Sequence, residues 1–111
     1  MTDTAVEERS RWAIELDQLT REHEGDLVVI EVLDITYGDG EEAERVPFGY
    51  AAYDRKDDAV VVAVGGRSGR FPVALRHIVT HPIEIDIAEH AMRVVAEDGT
   101  TTIVTFIDDS S

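Results

Sequence analysis

The sequence predicts an α+β domain that is mainly β: an N-terminal helix packed on five to seven antiparallel strands forming a curved sheet or small barrel. Three observations carry this. Trp12, Leu16, Leu19 and His23 fall at i, i+4, i+7 and i+11, one stripe at helical period, and nothing later in the chain repeats it. From Asp26 onward short β-branched runs alternate with turn residues every 8–12 positions. The length, 111 residues, suits one domain and not two.

The elements follow in order. Residues 1–9 read as a disordered acidic lead-in, and 108–111 as a disordered tail, leaving 10–107 as the folded domain. Ser10 is placed to cap the helix with its hydroxyl, and Gly25 to end it in a left-handed conformation. Trp12 reads as a core anchor, because large aromatics dominate burial. Leu27–Leu33 is the first strand, with Val28, Ile30 and Val32 on one face and Leu27, Val29, Glu31 and Leu33 on the other. Tyr37-Gly38-Asp39-Gly40-Glu41-Glu42 reads as a loop. Val46–Tyr53 and Ala59–Val64 form a hairpin about the polar turn Asp54-Arg55-Lys56-Asp57-Asp58. Gly65–Arg70 is a second loop. Residues 71–82 are ambiguous: Phe71, Val73, Leu75, His77 and Val79 alternate like a strand, whereas Leu75, Ile78 and Val79 also suit a helical turn. Ile83–Ile87 alternates apolar with polar. Met92–Glu97 and Thr100–Ile107 flank Asp98-Gly99, which predicts a type I′ hairpin.

Composition narrows the function classes. The 24 acidic residues against 10 basic ones give a net charge of −14, and there is no cysteine. Disulfides, thiol catalysis, iron–sulfur clusters and Cys-based zinc sites are excluded. No apolar run approaches the roughly 18 residues of a membrane span, and the first residues carry no basic-then-apolar signal pattern, so a cytoplasmic protein is expected. The charge is uneven: residues 1–58 carry 17 acids and 6 bases, residues 59–82 carry three arginines and no acid, and residues 83–111 carry 7 acids and one base. So negative a surface repels nucleic-acid phosphates. The nine Arg against one Lys, Lys56, fit an Arg-favouring codon composition; a salt-adapted proteome is the other reading.

The runs Leu19-Thr20-Arg21-Glu22-His23-Glu24-Gly25-Asp26-Leu27-Val28, Tyr53-Asp54…Asp57-Asp58, Ala63-Val64-Gly65-Gly66 and Leu75-Arg76-His77-Ile78-Val79…His81-Pro82 together resemble a family of short bacterial proteins of unknown function. The resemblance spans most of the chain and implies a shared fold, with no activity attached. At the level of fold order alone, helix then barrel is similar to the Sm-like small barrels (and SH3-like ones). The loop glycines and Asp/Asn pair of the Sm RNA site have no match here, and fold analogy does not give function.

Four constellations are candidates for function. Gly65–Arg70 with Arg76 offers backbone N–H groups and guanidinium forks for an anion, an acidic partner or RNA through Arg67, Arg70 and Arg76; the plain alternative is a surface hairpin. The loop lacks the Gly-Lys-Ser/Thr of a P-loop. His77 and His81 at i, i+4 share one face on a helix and could hold a metal for a metal-dependent enzyme, with Glu84, Asp86 or His90 as third ligand. Pro82 directly after them argues against helix, and on a strand about 13 Å separates them. The carboxylates Asp34, Asp39, Glu41, Glu42 and Glu44, and Asp54, Asp57 and Asp58, match no EF-hand spacing and read as solvated loops. Neither Ser10 nor Ser68 sits in Gly-x-Ser-x-Gly. The fourth feature is apolar excess: both faces of Leu27–Leu33 and Ala59–Val64 are apolar apart from Glu31, so a second face must be covered by the helix or another chain. The expectation is a non-enzymatic interaction or self-association module. Its partner is itself or another protein, with no cofactor, nucleic acid or membrane.

Overall fold

The computed structural model describes residues 2–34, 38–65 and 74–107. Helix α1 (Thr2–His23) leads into β1 (Leu27–Asp34), β2 (Gly38–Asp54), β3 (Ala59–Gly65), β4 (Ala74–Thr80), β5 (Pro82–Ile87), β6 (Ala91–Ala96) and β7 (Thr101–Ile107). Every pairing is antiparallel, in the order β4-β3-β2-β1-β7-β6-β5. The sheet is not closed into a barrel, which corrects the barrel alternative. Its two ends, β4 and β5, are consecutive in the chain and joined by His81 alone. They form no hairpin, because His81 turns with φ +52 and spends its backbone elsewhere. Its N–H donates to the Asp58 carbonyl, and its carbonyl accepts from Glu97 N–H.

The helix starts earlier than expected. It runs from Thr2, so Ser10 lies within it instead of capping it, and the Ser10 hydroxyl accepts from Arg55. The predicted stripe holds: Trp12, Leu16, Leu19 and His23 are all buried, and Ile14 is exposed. Gly25 takes φ +92 just past the last turn, the left-handed conformation expected of it. Thr20 ties α1 to β2, since its hydroxyl accepts from Ala51 N–H and lies 3.0 Å from the Ala51 carbonyl oxygen.

β2 is 17 residues long and begins at Gly38, so residues 38–42 form strand and not loop. Pairing with β1 overrides their turn-like composition: Asp34 opposes Gly38, Val32 opposes Gly40 and Glu31 opposes Glu41. The same strand then opposes β3 from Phe48 to Asp54. Register shifts between Phe48 and Tyr50, and the left-handed Arg45 (φ 52), let one strand serve both halves. Residues 74–80 resolve as strand β4, with Leu75, His77 and Val79 opposite Val64, Val62 and Val60.

The β6–β7 connection differs from a type I′ turn. Only Gly99 has positive φ (+92); Gly99 N–H donates to Ala96 O and Ala96 N–H to Thr100 O, closing a three-residue loop. The Asp98 carboxylate accepts from Thr100 N–H, which holds its pKa below the usual range and stiffens the turn.

The core lies between α1 and the inward face of the curled sheet. Leu16 and Leu19 meet Val28, Ile30, Phe48, Ala51, Val60, Val62, Val64, Val79, Met92, Val94, Val104 and Phe106. His23 stacks on Phe106 with ring centroids 4.0 Å apart and shares its Nδ1 with the Asp26 carboxylate at 2.9 Å.

Candidate functional site

The two ends of the sheet meet at His81, and a cluster of polar side chains gathers there. The β2–β3 turn is built by Asp54, whose Oδ1 accepts from the N–H groups of Lys56 and Asp57. The turn closes on Asp58 at φ 49, in the left-handed region that Asp tolerates better than most residues. This aims the half-buried Asp58 carboxylate at three donors. Tyr53 donates its hydroxyl to Oδ1 at 2.5 Å, Arg9 donates Nε to Oδ1 at 3.2 Å, and His81 Nδ1 stands 3.3 Å from Oδ2. The Asp58 pKa is depressed, first by the Tyr53 hydroxyl and further by Arg9 and His81, against an opposing effect of burial. The Tyr53 hydroxyl is pushed up by burial and by that same carboxylate. Arg9 also lies 5.1 Å over the Trp12 ring, and Trp12 meets Tyr53 edge-on at 5.7 Å. Helix, β2, the β2–β3 turn and the β4–β5 junction are thereby tied to one carboxylate.

Two clefts adjoin this junction. One, of about 460 Å³, is lined by Thr80, His81, Glu97 and Asp98. The other, of about 120 Å³, lies between β4 and the β6–β7 hairpin. At its floor, His77 Nε2 is 3.0 Å from the hydroxyl of the fully buried Thr102, so β4 is linked across the open seam to β7.

The histidines therefore do not meet. His77 points inward to Thr102, and His81 sits in the junction beside Asp58. The third ligands considered for them are elsewhere: Glu84 and Asp86 both accept from Arg93, and His90 stands 3.8 Å from Glu89. Among the described residues, no group of three His, Asp or Glu is placed to hold a metal ion. Arg76 is exposed on β4 in a row with Tyr50 and Ala63, on the face opposite His77. Arg67, Arg70 and the rest of the glycine-rich loop beyond Gly65 lie outside the described residues. So do the four residues 108–111.

Apolar exposure concentrates at the two free edges. Six large apolar side chains are exposed among the described residues, and four of them, Leu75, Ile78, Ile83 and Ile87, are on β4 and β5. No described strand pairs with the outer edge of either one. The apolar excess read from Leu27–Leu33 and Ala59–Val64 is taken up differently: those side chains are buried or half-buried, Glu31 excepted. Sequence reasoning missed the Asp58 network and Thr102. The available signal for Thr102 was parity, since a hydroxyl stands where Val104 and Phe106 continue an inward-facing series.

Fold and site together define an α+β domain: one helix on an open seven-stranded antiparallel sheet, with neither outer edge paired by a described strand and a polar latch between them. The chain belongs to a family of unknown function (DUF5335), whose model matches residues 4–111. No curated protein and no solved structure matches it. No helix among the described residues is long and apolar enough to cross a membrane.

Proposed function

We propose that this domain is a non-enzymatic protein-interaction or self-association module whose contact surfaces are the free edges of β4 and β5. The observation carrying this reading is the placement of Leu75, Ile78, Ile83 and Ile87 on those edges. Free edges offer unpaired backbone donors and acceptors to another strand, and exposed apolar side chains beside them add area to such a contact. Lone exposed hydrophobics need no explanation; a set of four on the two strands that end the sheet does.

The test compares wild type with a variant carrying Leu75→Lys, Ile78→Lys and Ile83→Lys. Binding to proteins of the source cell, or to itself, should be lost in the variant while its circular dichroism stays that of wild type. Identical retention of partners by both proteins would count against the edges, as would absence of any association by wild type.

A further inference from the structure

The two outer edges, neither paired by a described strand, differ in charge in a way that fits one to the other. β4 belongs to the segment 59–82, which contains no acidic residue, and it presents Arg76 beside Leu75 (56% exposed) and Ile78 (55%). Arg76 has no ion-pair partner among the described residues. β5 presents Ile83 (55%) and Ile87 (37%) beside Glu84 and Asp86, and from Ile83 to Met92 there are three acids and neither Lys nor Arg. Arg93 from β6 compensates only part of that charge. The strands also match in length, at 7 and 6 residues.

Within one copy they cannot combine, because His81 turns them apart and the Asp58 network holds that turn. From these features we infer that β4 of one copy pairs with β5 of the next, head to tail, so that the open sheet continues from molecule to molecule. This inference rests on the reading of the edges as contact surfaces and assigns the occupant as a second copy of this chain. Contact between two different patches leaves one bare edge at each end of any pair, so assembly proceeds to a closed ring or a longer chain and does not stop at a two-fold dimer. Opposite charge at the two edges lets a chain of net charge −14 associate with itself, since the local pairing opposes the overall repulsion.

The decisive experiment uses two variants, each damaged at one edge only, with masses measured by light scattering. The first carries Arg76→Glu and Ile78→Glu; the second carries Ile83→Lys. Wild type should assemble to more than two copies, and each variant alone should be monomeric. An equimolar mixture should give a one-to-one dimer, because it contains one sound β4 edge and one sound β5 edge that face each other. A mixture that stays monomeric overturns the inference. So does an Ile83→Lys variant that dimerises alone, the mark of β4 pairing with β4. Leu75→Lys replaces the first variant if its circular dichroism shows loss of fold. A strictly monomeric wild type that still captures another protein through its edges overturns the head-to-tail assembly while leaving the proposed function standing.

Discussion

Asp58 gathers three donors on one carboxylate, and its protonation is therefore linked to folding. Its native pKa is depressed, so the unfolded chain binds this proton more readily than the folded one. The stabilisation is complete above the unfolded value of about 3.9 and is lost as pH falls through the lower native value. Asp58→Asn keeps a side chain that tolerates φ 49 but removes the charge. It should cost about 1–2 kcal/mol at neutral pH. Urea melts between about pH 5 and 3 should show a flatter acid limb for the variant than for wild type. Identical acid limbs would mean that Asp58 titrates alike in both states. Thr102 allows a second substitution: Thr102→Val conserves shape, removes the hydroxyl beside His77 and should lower stability by about 1 kcal/mol in the same assay. None of this was legible at residue level, because Asp58 sits in a run of charged residues indistinguishable from a solvated turn.

α1 is held by one apolar stripe and one polar tie. Thr20→Val keeps the volume but leaves the Ala51 N–H without its acceptor, at a cost of about 1–3 kcal/mol. Leu16→Ala, at a fully buried position, should cost about 2–5 kcal/mol. Chemical denaturation measures both, and an effect below half a kilocalorie for either would show that α1 packs more loosely than described. The stripe was readable because Trp12, Leu16, Leu19 and His23 keep a single period over the helix. The start of β2 was not, because Gly38, Asp39 and Gly40 favour turns locally and only their partners in β1 make them strand. Residues 75–79 suit both periods, and the ladder with β3 decided between them. The Asp98-Gly99 hairpin was located correctly but with the wrong turn, since Asp98 uses its side chain, not positive φ, to organise the loop.

For the molecule as a whole, the net charge of −14 opposes compaction. Raising sodium chloride from about 0.01 M to 0.15 M shortens the screening length from roughly 30 to 8 Å and should raise the melting temperature at neutral pH. A melting temperature that falls with salt would show that attractive pairs, such as Arg9 with Asp58, outweigh the repulsion. The proposed contact surface was not legible at this scale: the apolar excess was read from Leu27–Leu33 and Ala59–Val64, which the fold takes up, and which strands end the sheet is set by sheet order, a long-range property. That order also bears on synthesis. β1 lies between β2 and β7, with Leu27 opposite Ile107, so the centre of the sheet is completed only once residues 101–107 have left the ribosome. Until then, the nascent polypeptide carries Val28 and Ile30 without Phe106 and Val104 opposite them, and β1 has β2 as its one neighbour in the sheet.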